Sequence, residues 1–299
     1  MAAELELCWG TVRQAGLAEL IEVAGSAGFQ AITVGPDLVD QSGLGAAELR
    51  SRLGDAGVRI SNIDALVSAL PGMPTPEFIE KTYRSYGTGL NVRRGFTITE
   101  DTFYRTAERT GGDSVNVVHF GGDPATPLEA IAEAVAGVSR RAAVHGLMIV
   151  FEFLPETAVP DINTAARLVE MVSEPNMKIM FDTRHLARSG GGVEDVVRHA
   201  DLIGATQFSD LKWAERNAEN RLLPYDGDLQ LQAMLDAVRK AKPEVPIGIE
   251  VFSTVLFELS AAEAAERAAT TLRKLIDATE AAKKRQDGKQ KWSLRAMQR

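Results

Sequence analysis

The sequence predicts an α/β fold, a single-domain (β/α)₈ TIM barrel, and three observations lead to this fold class. Short apolar runs alternate with longer helix-period segments along almost the whole chain of 299 residues. Each run is short enough for a buried parallel strand, and each helical segment is long enough for a crossover. Eight such units fit the usual length of this barrel, and no Pro/Gly/Ser-rich linker divides them.

The eight predicted strands follow the apolar runs in chain order. They cover Leu5–Trp9, Ala31–Gly35, Val58–Ile63, Ser114–Phe120, Met148–Phe153, Lys178–Asp182, Leu202–Ser209 and Ile247–Phe252. The predicted helices between them are Leu17–Ala27, Ala46–Ala56, Glu100–Thr110, Pro127–His145, Asn163–Ser173, Gly192–Ala200 and Leu229–Lys240, and a last helix covers Ala261–Ala281.

An open doubly wound sheet is the competing fold, because it has the same alternation of strands and helices. Its dinucleotide-binding form carries GxGxxG after the first strand, whereas Gly43–Gly45 lies in an isolated loop. The segment Leu66–Phe96 is rich in Pro and Gly. We expect it to form a long loop after strand three that covers the catalytic face as a partial lid.

Charge and composition limit the classes of partner. The net charge of −8 argues against a nucleic-acid partner. No apolar run reaches the roughly 20 residues of a membrane helix, and the N-terminus lacks the pattern of a secretory signal. We therefore expect a cytoplasmic protein with no membrane partner. The single Cys8 can form no intramolecular disulfide.

The C-terminal segment differs in charge from the rest of the chain. Residues 283–299 carry seven Lys or Arg and one acid, whereas residues 1–282 carry 26 bases and 40 acids. We interpret 1–282 as the barrel and 283–299 as a basic helical extension. Such a terminus usually frays or packs on a neighbouring subunit, which leaves a homo-oligomer open.

Ionisable or ligating side chains recur at the C-terminal ends of the later strands. Glu152 lies inside the apolar run IVFEF, Asp182 ends strand six, and Glu250 lies in strand eight. One buried Glu could pair with an Arg on a neighbouring strand. Three carboxylates at equivalent depths repel one another, and a hard divalent cation bound by oxygen atoms relieves that repulsion.

Five stretches of sequence resemble a known family. The set resembles the xylose isomerase-like TIM-barrel superfamily of sugar isomerases and epimerases, with its hydroxypyruvate isomerases, tagatose epimerases and inosose dehydratases, over nearly the whole barrel. The stretches are EFLP from Glu152, FDTRH at Phe181–His185, QFSD at Gln207–Asp210, NRLLPYDGD at Asn220–Asp228 and GIE at Gly248–Glu250.

The resemblance implies one divalent metal ion with Glu152, Asp182, Gln207 and Glu250 as ligands. Many members have His where this chain has Gln207, and the hydroxypyruvate isomerase-like branch has Gln. An amide oxygen at this position gives four oxygen ligands, which favours Mn²⁺ or Mg²⁺ over Zn²⁺.

The resemblance also implies substrate-binding residues. His185, in the D-x-x-H pattern, would reach a substrate hydroxyl, although a capping or loop histidine is the alternative. Arg221 would orient the substrate, in a loop where Tyr225 replaces the usual first Gly. Asp210 belongs to the same substrate-binding set. His119 would line the pocket, or it is a strand-end histidine with a structural role.

The expected activity is that of an isomerase or epimerase on a small carbohydrate-like α-hydroxy carbonyl compound. Glu152 and Glu250 would remove and return a proton next to the carbonyl, and the cation would stabilise the enediolate. A lyase or dehydratase on the same site is the alternative, because Ala158 stands where tagatose-type members carry a second substrate-binding Glu, with Glu156 two residues before it. A non-catalytic barrel subunit is the second alternative.

Overall fold

Eight parallel strands form the centre of the fold in the computed structural model, which describes residues 3–74 and 98–297, with side chains as far as residue 285. The strands are β1 Leu5–Leu7, β2 Ala31–Val34, β3 Arg59–Leu66, β4 Ser114–Val118, β5 Met148–Glu152, β6 Met177–Asp182, β7 Ile203–Gln207 and β8 Ile247–Ile249. Neighbours follow chain order from β1 to β7, and β8 pairs with β1.

The sheet closes next to β7. The backbone N–H of Phe208 donates to the Gly248 carbonyl at 2.8 Å, and its own carbonyl accepts from the Glu250 N–H at 3.1 Å. These two bonds join the last two strands, so the predicted (β/α)₈ barrel is confirmed.

Helices surround the strands and cover their outer faces. They are α1 Leu17–Ser26, α2 Pro36–Gln41, α3 Ala46–Ala56, α4 Glu100–Thr110, α5 Leu128–Val144, α6 Ile162–Val172, α7 Thr183–Arg188, α8 Val193–His199, α9 Leu231–Ala241, α10 Thr254–Phe257 and α11 Ala261–Met297. The main apolar core lies between these helices and the sheet.

Several element boundaries differ from the sequence prediction: β1, β4, β7 and β8 end two or three residues earlier than predicted, and the short helices α2, α7 and α10 were not predicted. Strand β3 continues to Leu66 instead of ending at Ile63, and its pairing register with β4 shifts between these two residues. Only the first part of the predicted lid at Leu66–Phe96 lies within the described residues, so this prediction stays untested. Helix α11 continues to Met297, beyond the predicted end of the last helix at Ala281, and the division of the chain at residue 282 stays a prediction. No membrane-spanning helix is found in the described ranges.

A second, smaller apolar cluster fills part of the barrel interior. It consists of Val150, Met180 and Ala205, on β5, β6 and β7. Side chains two residues apart on a strand point to the same face. Each of these residues is therefore followed, two positions later, by a predicted ligand: Glu152, Asp182 or Gln207.

Candidate active site

The four predicted ligands lie together at the C-terminal mouth of the barrel. Glu152, Asp182 and Gln207 end β5, β6 and β7, and Glu250 directly follows β8. All four are less than a tenth exposed. The Gln207 amide links two of these positions, since its Nε2 donates to Glu250 Oε1 at 2.9 Å.

Arg221 is the cation that contacts this carboxylate group. Its Nη1 donates to Asp182 Oδ2, and its Nη2 lies 2.9 Å from Glu250 Oε2. The backbone fixes its position, because the Arg221 N–H donates to the Phe252 carbonyl at 2.8 Å. Burial lowers the pKa of Arg221, but the carboxylates of Asp182, Glu250 and Glu152 outweigh it and hold that pKa above its ordinary value. Arg221 therefore stays charged.

His185 joins the cluster through the first turn of α7. Asp182 caps this helix by accepting the His185 N–H at Oδ1, 2.8 Å away. The ring Nε2 then lies 3.3 Å from Glu152 Oε1 and 3.8 Å from Asp182 Oδ2. Burial lowers the pKa of His185 to about 3, so its ring is neutral in the physiological range.

The three carboxyl groups differ in their protonation. Burial, with Asp182 and Asp64 nearby, raises the pKa of Glu152 to about 8. Burial also raises the pKa of Glu250 to about 8, against the opposing effect of Arg221. Burial would raise the pKa of Asp182 too, but Arg221 and His185 outweigh it and lower that pKa. Asp182 is therefore ionised, whereas each of the two Glu side chains takes up or releases a proton slightly above neutral pH.

The residues present fit a divalent cation. Gln207 Oε1 is buried and accepts no hydrogen bond from any described residue. His185 turns its Nε2 towards the carboxylates of Glu152 and Asp182. Ligand atoms of Glu152, Asp182 and His185 lie within 4.8 Å of one another. The four predicted ligands offer oxygen atoms only, whereas this group includes the imidazole nitrogen of His185. The group is therefore compatible with Zn²⁺ as well as with Mn²⁺ and Mg²⁺.

Two other predicted substrate-binding residues contact the backbone of the surrounding loops. His119 Nε2 lies 3.0 Å from the Pro71 carbonyl, and its Nδ1 accepts the Ala158 N–H at 3.3 Å. Asp210 accepts backbone N–H groups at 2.9 to 3.1 Å, and these belong to Leu211, Tyr225 and Leu229. Both side chains hold loops at the barrel mouth, and their contact with a substrate stays a prediction.

The loop departures noted in the sequence have structural counterparts. Tyr225 has φ 78°, in the left-handed region that favours glycine. The loop of Arg221 thus keeps a glycine-like backbone path at this position. Glu156 points to solvent, since its side chain is 85% exposed and lies 3.5 Å from Arg188 Nη2. It does not replace the second Glu of tagatose-type members in this conformation.

The sequence reasoning missed a second group of side chains, from the first strands of the barrel. Asn116 Nδ2 donates to both Glu152 Oε2 at 2.7 Å and Asp64 Oδ1 at 2.8 Å. Trp9 Nε1 donates to Asp64 Oδ2 at 3.3 Å, and Cys8 Sγ lies 2.9 Å from Glu250 Oε1. A polar residue inside the apolar run SVNVV was the sequence signal for Asn116. Asp64 was missed because strand three was predicted to end at Ile63.

Comparison with known proteins identifies the family of the chain and several relatives. The family model for xylose isomerase-like TIM barrels matches residues 21–278. Inosose isomerase from Halalkalibacterium halodurans is 25% identical over 141 residues, which cover 45% of this chain and 50% of that protein. The chain thus matches about half the length of this curated relative.

Solved structures share the fold at low sequence identity. The IolI protein with a bound zinc atom has a TM-score of 0.77 and 18% identity, over 92% of this chain and 99% of that one. An L-ribulose 3-epimerase has a TM-score of 0.71 and 15% identity, over 95% and 97% of the two chains. The family match covers most of the barrel that these structures share, and the chain belongs to the xylose isomerase-like TIM barrel family.

Proposed function

We propose that the chain is a divalent-metal-dependent isomerase or epimerase of a small, sugar-like α-hydroxy carbonyl compound. One observation carries this proposal: two carboxyl groups, Glu152 and Glu250, lie buried in one cluster with Asp182, His185 and Arg221. Without a bound metal, burial raises the pKa of each Glu to about 8. A general base works best when its pKa is near the operating pH, because it must both take and release the proton.

A metal ion is part of the proposal, and Glu152, Asp182, Gln207 and Glu250 would hold it. When bound, such an ion acts as a Lewis acid that polarises the substrate carbonyl and acidifies the neighbouring C–H bond. Because the IolI neighbour binds a zinc atom, Zn²⁺ is a candidate together with Mn²⁺ and Mg²⁺.

The protein side chains then divide the proton transfer. One Glu carboxylate removes the proton next to the carbonyl, and the second Glu returns a proton. Return to the other face of the same carbon gives epimerisation, and return to the neighbouring carbon gives isomerisation. Neutral His185 and charged Arg221 would hydrogen-bond substrate oxygens on the β6 side of the pocket. The names inosose isomerase and L-ribulose 3-epimerase support a polyol ketone or a ketose as the substrate class.

A lyase or dehydratase on the same site is a second candidate, favoured by one observation. Glu156 points to solvent, so the loop after β5 lacks the second substrate-binding Glu expected of an epimerase of the tagatose type. Elimination of a β-substituent would leave an α,β-unsaturated carbonyl product, which isomerisation does not form.

Exchange of the substrate proton with solvent tests the proposed function. Metal-free protein would be reloaded with Mn²⁺, Mg²⁺ or Zn²⁺ and incubated with inosose or L-ribulose in D₂O, and deuterium incorporation would be followed by NMR. We expect incorporation only with metal, and a loss of at least about 100-fold in Glu152→Gln and Glu250→Gln. Glu156→Gln, an exposed Glu four residues after Glu152, is the control that should keep the wild-type rate.

Three outcomes separate the candidates. Exchange with recovery of an isomeric ketone supports the isomerase or epimerase. An α,β-unsaturated product assigns the lyase. No exchange and no elimination with any of the three metals would exclude both reactions on these two compounds and favour the non-catalytic barrel.

A further inference from the structure

We propose that Asp64 is a substrate-binding residue that determines specificity, by accepting hydrogen bonds from substrate hydroxyl groups on the β3 side of the pocket. This inference deepens the proposed function and depends on it. The β6 side, with His185 and Arg221, would orient one end of the substrate. Asp64 would recognise the other end.

Position ties Asp64 to the proton-transferring residues. One amide group, Asn116 Nδ2, donates to Asp64 Oδ1 at 2.8 Å and to Glu152 Oε2 at 2.7 Å. Asn116 is fully buried, so this bridge is held by packing on all sides. A hydroxyl bound to Asp64 would therefore lie at a fixed offset from the carboxylate that takes the proton.

Asp64 also keeps free acceptor capacity. Its carboxylate receives one hydrogen bond on each oxygen, from Asn116 and from Trp9. A carboxylate offers about four acceptor positions, which leaves about two for a ligand. Among the described residues, no Lys or Arg nitrogen lies within ion-pair distance of it. Asp64 is also partly exposed, whereas Glu152, Asp182 and Glu250 are buried.

The surroundings suit a polyol. Trp9 is partly exposed, and its ring packs edge to face against Phe252 with centroids 5.8 Å apart. An aromatic surface beside a carboxylate matches a sugar-like ligand, which has C–H groups and hydroxyl donors on adjacent atoms. The loop after β5 offers Ala158 and a solvent-directed Glu156 instead of a second carboxylate. Asp64 supplies, from β3, the hydroxyl acceptor that this loop lacks.

The test separates substrate binding from metal binding. Asp64→Asn keeps the size of the side chain and removes its charge, and Asp55→Asn, on the exposed face of α3, is the matched control. Both variants and the wild type would be compared for KM and kcat of deuterium exchange with inosose and L-ribulose. Isothermal titration with Mn²⁺ and Zn²⁺ would give metal affinities on the same preparations.

We expect Asp64→Asn to raise KM by about 10- to 100-fold, as loss of a charge-assisted hydrogen bond predicts, with kcat within about threefold. The metal Kd and the Tm should stay within about twofold and about 2 °C of the wild type. A merely structural role would change Tm or metal affinity together with KM, and the Asp55→Asn control should change nothing.

Two results would overturn the inference while the proposed function stands. One is a KM within twofold of the wild type for both substrates. The other is a raised KM accompanied by a metal affinity lowered more than tenfold, which would assign Asp64 to a cation subsite with Cys8 and Glu250. If the wild type exchanges neither probe, titration of inosose into metal-loaded protein decides. If the wild type binds inosose and Asp64→Asn does not, the role of Asp64 in substrate binding is supported. If the two proteins bind inosose equally, or neither binds it, that role is refuted.

Discussion

Replacing Arg221 by Gln removes the guanidinium that contacts Asp182 and Glu250 at the barrel mouth. Both contacts are buried, and Asp182 is fully inaccessible to solvent. Removing one partner of a buried ion pair destabilises a protein by about 3–5 kcal/mol, because the remaining charge is left uncompensated. For a chain of this length, about 3 kcal/mol corresponds to a fall in Tm of roughly 5–10 °C.

The fall in Tm of Arg221→Gln depends on pH, and the pKa values of the carboxyl groups decide at which pH it is larger. Glu152 and Glu250 have folded-state pKa values of about 8, above the roughly 4.3 of an unfolded Glu, so their protonated forms favour folding and this contribution disappears as pH rises through 8. At pH 6, bound protons already neutralise them. At pH 9, both are ionised and Arg221 is needed most. The Tm difference should therefore be larger at pH 9 than at pH 6.

Thermal unfolding with a chelator present, followed by circular dichroism at the two pH values, measures the effect. Arg198→Gln is the matched control, since Arg198 forms an exposed ion pair with Asp195 that contributes little to stability. A fall in Tm below about 2 °C at pH 9, or equal falls at both pH values, would refute the account of the buried carboxylate group. Added Mn²⁺ should restore part of the loss in the variant, because it supplies positive charge to the same oxygens.

Three further predictions concern the barrel that holds the site. Burial raises the pKa of Glu6 to about 7. Its contribution to the stability of the fold therefore falls by roughly 3 kcal/mol between pH 4.5 and pH 7. Glu6→Gln should raise Tm relative to the wild type at pH 8 but not at pH 4.5. Gly248→Ala should lower the free energy of unfolding, measured by urea titration, by more than about 3 kcal/mol, because the added Cβ would overlap a backbone carbonyl of β7. Gly54→Ala, at an exposed position of α3 with open space around it, should raise the same free energy by up to about 1 kcal/mol. Tyr225→Val should lower Tm more than Tyr225→Gly, because a β-branched residue tolerates a positive φ least.

The fold was predictable because local sequence signals agree with the tertiary structure. Helices α3 and α4 end at the predicted residues, and each is followed by a glycine with positive φ, Gly57 at 66° and Gly111 at 76°. A left-handed glycine after a helix is a local signal. The end of β3 was not predictable in this way, since residues 64–66 continue the strand through a register shift against β4 that depends on the neighbouring strand.

The site was predictable only in part, for a similar reason. Burial of charge inside apolar strands identifies Glu152, Asp182 and Glu250 from sequence alone, and the structure places all three in one buried group. The partners that set their charge states come from elsewhere in the chain. Arg221 lies in a loop 39 residues after Asp182, and its contact with that carboxylate depends on the path of the loop. Spacing along the chain carries no information about such a contact.

The barrel interior shows why two Glu residues at equivalent depths are not equivalent. Glu152 follows Val150, part of the apolar cluster below the site, whereas Glu250 follows Gly248, which has no side chain. Glu250 has three polar neighbours, since Gln207 and Cys8 contact Oε1 and Arg221 contacts Oε2.

Glu152 has one amide donor, Asn116, and a neutral imidazole 3.3 Å from its other oxygen. Donors to a carboxylate stabilise its charged form and restrict its movement. Glu250 is therefore the more firmly held of the two, and Glu152 is the one freer to approach a substrate carbon and accept its proton. Because Asn116 links Glu152 to Asp64, that movement would be coupled to the hydroxyl recognition proposed on the β3 side, so binding and proton transfer would share one buried amide.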